Sequence, residues 1–212
     1  MIDRVVDPYG ATPLTPDDMR GLKLRHVTTR GQLDEVEQAN VAQGLRWLAR
    51  TRRGDILDDA FVRKLHMQLF GDVWTWAGSY RMRETNIGIA PPEIAVQLRL
   101  LLENARIWCE ENVYPPMEAA ARFHHRMVQI HPFPNGNGRH ARIAADEFLK
   151  RYFDRPPIEW ASGHDLQRDN ERRDAYLQAL RRADAGDFEA LFKFVGAVPA
   201  GKIRFDRMSW PG

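Results

Sequence analysis

The chain of 212 residues carries one cysteine, Cys109. A single thiol excludes an internal disulfide and fits a reducing compartment. An excess of charge of one sign is missing too, since 31 basic residues stand against 29 acidic ones for a formal net charge of +2. That balance gives no electrostatic case for direct nucleic-acid binding, which normally shows as a basic patch or stripe. No apolar run approaches the ~18 residues a membrane span needs. The opening Met-Ile-Asp-Arg-Val-Val-Asp lacks the apolar stretch of a secretory leader. Internal repeats and low-complexity tracts are absent. These absences lead us to expect a cytoplasmic protein with no membrane contact, built as one domain with a real core.

What is present is helical periodicity, interrupted by Pro and Gly. Residues 1–30, rich in Pro, Gly and Thr, read as an irregular arm; Thr15 caps a short turn at Pro16. Leu33, Val36, Val41, Leu45 and Leu48 fit one face of a helix ending near Arg50, and Gly54 closes it. Asp58 or Asp59 opens a helix to Phe70. Trp74, Trp76 and Tyr80 surround a Gly turn and anchor the core. Residues 83–90 are too short and Gly-broken for a helix, so a small β-hairpin is expected, with an edge able to pair with an extended peptide. A long helix follows from Pro91 to Asn112, then one from Met117 to Ile130. Asp165 opens another to Asp184, whose arginines intermix with acids as on a solvated face. A short helix over Phe188, Leu191, Phe192 and Val195 closes a domain spanning 31–197. Residues 198–212 read as an irregular tail. Cys109 is a small core residue here. His124 and His125, adjacent on a helix, point about 100° apart and do not readily share a metal ion.

The chemistry concentrates in His131-Pro-Phe-Pro-Asn-Gly-Asn-Gly-Arg-His-Ala-Arg142. Pro132 drives His131 out of the α region and ends the helix before it. Gly136 and Gly138 permit backbone conformations closed to other residues, and an apolar helical pattern then resumes through Ala141, Ala144, Ala145, Phe148 and Leu149. A helix start offers unpaired N–H groups and a positive dipole end, and successive glycines let those groups form a nest for phosphate. Arg139 and Arg142, three apart, share a helical face and can each grip phosphate oxygens bidentately. His131, ordinarily near pKa 6.5, can accept a proton at neutral pH.

This string resembles the H-P-F-x-D/E-G-N-G-R-x-x-R motif of Fic (Fic/Doc) domain proteins, at His131, Pro132, Phe133, Gly136, Asn137, Gly138, Arg139 and Arg142. The chain is also similar to the Fic subgroup termed mobile mystery protein B. The resemblance implies an all-α, Fic-like bundle of about seven to eight helices with a β-hairpin flap beside the active-site loop. It further implies transfer of AMP from ATP, with Mg²⁺, to a Ser, Thr or Tyr hydroxyl of a target protein, His131 acting as general base. Gly136, Asn137 and Gly138 would hold the α- and β-phosphates, Arg139 the β side and Arg142 the γ-phosphate. Phe133 would plug the core beneath the loop, and Asn86, Ile87 and Gly88 would clamp the target peptide. Asn135 departs from the motif's acid; its amide oxygen can still ligate Mg²⁺, without the charge. In several Fic subgroups a helix Glu in S/T-x-x-x-E-G/N pairs with the second motif arginine and inhibits. Glu37 lies on a candidate helix, but Leu33 and Gln38 break the pattern, and an exposed helix face is the other reading. Alternatives to AMP transfer are transfer of another phosphate-containing group, or a nucleotide- or protein-binding module of a toxin–antitoxin-like pair with a helix-turn-helix companion.

Overall fold

The computed structural model describes residues 12–197. The tail assigned to 198–212 and the first eleven residues of the arm lie outside the described residues. Within them the chain forms eight α-helices: α1 (Pro16–Met19), α2 (Arg30–Arg50), α3 (Asp59–Phe70), α4 (Ile94–Glu110), α5 (Pro116–Ile130), α6 (Asn137–Phe153), α7 (Glu171–Asp184) and α8 (Glu189–Val195). A 3₁₀ turn over Pro91–Glu93 leads into α4. The starts follow local chemistry. Thr15 and Thr29 each close a reciprocal capping box, with Asp18 and Gln32, and Asp58 and Asn170 cap α3 and α7. Helix α5 is the hub, packing against α4, α6, α7 and α8. Its apolar stripe, Phe123, Met127 and Ile130, is fully buried, and Phe123 stacks on Phe148 of α6. None of these helices is long and apolar enough to cross a membrane.

Four local expectations change. The hairpin is absent: among the described residues no strand forms, the sole β-type pairing is an isolated Leu22–Trp74 bridge, and 83–90 is an irregular loop. Its carbonyls are taken by a side chain instead of a neighbouring strand, since the Arg81 guanidinium donates to Arg83 O and Ile89 O. Helix α2 buries Leu33, Glu37, Asn40, Gly44 and Leu48, and Leu45 is 43% exposed. The reason is close polar packing on α3. Asn40 Nδ2 donates to Gln68 O at 3.2 Å, and a Cβ on Gly44 would lie 2.7 Å from the same carbonyl oxygen. Helix α7 starts at Glu171 rather than Asp165, because Asn170 accepts from Arg173 N at 3.0 Å while Asp165 supports a preceding turn through Gln167 N. Its arginines are also not uniformly solvated. Arg173 is 8% exposed, and Arg172 lies 3.7 Å above the Phe194 ring.

Candidate functional site

Helix α5 ends at Ile130, and His131 follows in the left-handed region, with φ 53° and ψ 61°. Such a conformation costs an L residue roughly 1–2 kcal/mol, so something must hold it. Arg81, 1% exposed, does. Its Nε donates to His131 O at 2.7 Å, its Nη2 reaches Ile130 O at 3.4 Å, and its backbone N donates to Pro132 O at 2.9 Å. The same guanidinium binds carbonyls of the 83–90 loop, fastening that loop to the turn that carries His131. Gly88, with φ +120°, lies so close that a Cβ there would sit 2.8 Å from His131 Cβ and 2.5 Å from Arg81 Nη2.

Phe133 is fully buried and stacks on His66 with ring centroids 3.8 Å apart, so it plugs the core as expected. His66 Nδ1 accepts from Gly78 N at 3.0 Å, which leaves the proton on Nε2, and Nε2 donates to Asn135 O at 3.0 Å. The Asn137 side chain bonds both backbone groups of Phe133, accepting from its N at 2.9 Å and donating to its O at 2.7 Å. It shapes the loop and is not offered to a ligand. Gly136 has φ +77°, and a Cβ there would approach Phe70 to 2.7 Å; no other residue type meets both conditions. Helix α6 then begins with no side-chain cap, as α4, α5 and α8 also do. Its first amides have no intrahelical partner, and Gly136, Asn137 and Gly138 border the cleft described next.

These residues line one cleft. His131, Asn135, Gly136, Asn137, Gly138, Arg139 and Arg142 meet there with Thr12, Ile87 and, from α7, Arg173, Tyr176, Leu177 and Leu180. Among the described residues four arginines contribute, Arg30, Arg139, Arg142 and Arg173, and no carboxylate does. The free volume is about 120 Å³, below the roughly 300–1,000 Å³ of ordinary small-molecule sites, so a nucleotide requires side chains to move. Asn86 and Gly88 sit apart from the cradle, in an adjoining groove with His125, Gln129 and Arg181, and Ile87 borders both.

Glu37 is 5% exposed, which overturns a solvated-face reading. Its Oε1 accepts from Trp74 Nε1 and its Oε2 pairs with Arg139 Nη2, both at 2.7 Å. The partner is thus the first motif arginine, not the second. Arg142 lies 5.6 Å from the Tyr176 ring centroid, with no carboxylate in ion-pair reach among the described residues.

The lining does not suit a protein-held Mg²⁺. Hard cations take oxygen ligands, preferably charged, and no carboxylate lines the cleft among the described residues. The Asn135 amide is engaged at both ends: Oδ1 accepts from Gly136 N at 2.6 Å and Nδ2 donates to Thr12 O at 2.9 Å. Charge neutralisation in this cleft falls to arginines.

Burial, followed by the nearby Arg81 guanidinium, pushes His131 down from the ordinary 6.5 to about 4, against the Val128 backbone carbonyl. The imidazole is therefore neutral at pH 7 and able to accept a proton. His140, fully buried against Val62 O, also falls to about 4. Asp146 is pushed up by burial to about 6 while accepting from Ile158 N and Trp160 Nε1. His124 Nε2 bonds the Tyr176 hydroxyl at 3.0 Å and His125 Nε2 bonds Asp184 at 2.9 Å. The Cys109 thiol is raised to about 11 by burial, which suits a packing residue over a nucleophile.

Sequence reasoning missed Thr12, Arg81, His66 and the inner face of α7. Arg81 ends the Trp-Ala-Gly-Ser-Tyr-Arg run that drew notice for its aromatics. Thr12 carried no signal.

A neutral imidazole, a helix start without a side-chain cap and several arginines thus meet in one cleft of a helical domain. Residues 56–149 match the sequence profile of the Fic/DOC family, and the chain carries a Fic/DOC domain there. It is 29% identical over 143 residues to the protein adenylyltransferase Fic of Nematostella vectensis, covering 66% of this chain and 31% of that protein. It is 28% identical over 138 residues to the same-named protein of Drosophila grimshawi, covering 63% and 27%. The matched part of this chain thus spans about a third or less of those relatives. Among solved structures, Fic-1 from C. elegans superposes with a TM-score of 0.60 at 22% identity over 84% of this chain and 56% of its own. BepC from Bartonella tribocorum, solved with bound AMPPNP, gives 0.62 at 17% over 80% and 87%.

Proposed function

We propose that this domain transfers AMP from ATP to a hydroxyl side chain of a protein. The observation that carries this reading is the convergence of His131 with the uncapped α6 start and Arg142 in one cleft. The relatives named adenylyltransferases, similar over this region, supply the nucleotide. His131 Nε2 takes the proton of an acceptor hydroxyl, help worth about 10²–10⁴ in rate. The oxygen attacks the α-phosphorus in line, and pyrophosphate leaves. The α6 amides and Arg142 hold the phosphate oxygens, and Arg139 joins them once released from Glu37. Positioning and electrostatics dominate such a reaction. The irregular 83–90 loop, pinned beside His131 by Arg81, is where a target peptide lies.

The test is incubation with α-labelled ATP and Mg²⁺ alongside candidate target proteins. Label that disappears with His131→Ala supports AMP transfer. Label from the γ position alone indicates phosphoryl transfer instead, and bound nucleotide without label indicates a binding module.

A further inference from the structure

The N-terminal arm reaches into this cleft and places a hydroxyl on the proposed base. Thr12 Oγ1 lies 2.9 Å from His131 Nε2, and Thr12 is 9% exposed. The contact is supported from several sides. Asn135 Nδ2, on the catalytic loop, donates to Thr12 O at 2.9 Å, and Arg83 Nη2, on the 83–90 loop, donates to Pro13 O at 3.3 Å. A few residues on, Asp18 closes the α1 capping box, pairs with Arg83 at 2.5 Å, and accepts at its carbonyl from Trp76 Nε1 at 3.0 Å. The arm segment is thus held between the two loops that would flank an incoming peptide. Thr12 also lines the same cleft as Gly136, Gly138 and Arg142.

We infer that Thr12 is an intramolecular acceptor, the domain modifying its own arm at this hydroxyl; the inference rests on the AMP-transfer reading. A separation of 2.9 Å falls within the 2.6–3.2 Å reach that general-base catalysis requires. With the imidazole proton on Nδ1, Oγ1 donates its hydrogen bond to Nε2. In the reaction the Oγ1–H bond breaks as Oγ1 bonds the α-phosphorus of ATP, and the proton passes to Nε2. The bond from the α-phosphorus to the bridging oxygen of the β-phosphate breaks, and pyrophosphate departs with that electron pair. Because the acceptor is part of the chain, its orientation is fixed by folding, and no encounter with a second protein is needed. Until it leaves, the arm also bars another acceptor from His131.

The experiment uses the full chain, wild type and Glu37→Gly, incubated with α-labelled ATP and Mg²⁺, with peptide mass spectrometry to locate AMP. The expected result is AMP on Thr12 at a first-order rate that does not change with protein concentration. Labelled chains should fail to modify added His131→Ala chains. Thr12→Ser should keep the modification and Thr12→Val should lose it at that peptide, both with unchanged circular dichroism. AMP found on other residues or on added proteins, with the Thr12 peptide unmodified, overturns this inference and leaves AMP transfer standing. A rate that rises with protein concentration overturns its intramolecular character. No α-label in either chain or in added proteins overturns the transfer reading and this inference together.

Discussion

Glu37 on α2 and Arg139 on α6 form a buried ion pair, Oε2 to Nη2 at 2.7 Å, across 102 residues of chain. The other carboxylate oxygen takes Trp74 Nε1, so the acid is fixed before any ligand arrives. An arginine that lines the phosphate cleft is thereby turned to an internal partner. Replacing Glu37 by Gln keeps an acceptor for Trp74 and removes the charge. ATP affinity should rise about tenfold, equivalent to ~1.4 kcal/mol, as read by titration calorimetry. Stability should fall by about 1 kcal/mol, less than for a fully buried pair because Arg139 still reaches water. Unchanged or weaker ATP binding would leave Glu37 as a structural anchor alone.

Acid should destabilise the fold through its buried histidines. His131 and His140 are lowered to about 4, and His66 and His124 lie well below their ordinary value, all chiefly through burial. Groups with depressed native values bind more protons when unfolded, so their contribution is complete above about pH 6.5 and is lost as pH falls, toward 4 for His131 and His140. Each such histidine adds a slope of about 1.4 kcal/mol per pH unit inside that window. Asp146, raised to about 6, acts in the opposite direction: its contribution is present below its unfolded value and lost as pH rises through 6. Urea denaturation between pH 4.5 and 8 should show the histidines winning. A flat profile would mean they are already hydrated.

Arg81 joins the turn at His131 to the 83–90 loop. Arg81→Ala leaves the carbonyls of His131, Arg83 and Ile89 without that donor. A loss of about 3 kcal/mol or more is expected, with the 83–90 loop becoming the first site of cleavage in limited proteolysis. Wild-type proteolysis kinetics would show that the loop is held by other contacts.

Asn135→Asp changes two things at once. It supplies a carboxylate where none lines the cleft among the described residues, and it removes the donor to Thr12 O. Activity should gain a steeper dependence on Mg²⁺ and rise at saturating metal. Activity that falls, or ignores Mg²⁺, would count against the reading of Asn135 as the reason the cleft holds metal poorly.

Much of the frame was legible. Helix starts at Thr15 and Asp58 follow from side chains that bond the nearest free amides, a property of three or four consecutive residues. The stretch around His131 was legible for the same reason, since Pro132 and Gly136 act on their own backbone; Gly138, expected to do the same, is an ordinary helical residue of α6. The hairpin failed because the carbonyls of 83–90 are satisfied by Arg81, a residue just outside the loop. The face of α2 failed because Glu37, Asn40 and Gly44 bury themselves where apolar residues were sought; each finds its partner on α3, α6 or the Trp74 loop.

Sequence alone determined the helical character, the turn at His131 and the gathering of glycines and arginines just after it, because those depend on backbone freedom and periodicity over short spans. Tertiary structure decided which arginine Glu37 engages, that His131 is neutral and left-handed, and that Thr12 lies against its imidazole. Those outcomes depend on burial and on hydrogen bonds between residues up to 123 positions apart, and local chemistry carries no record of them.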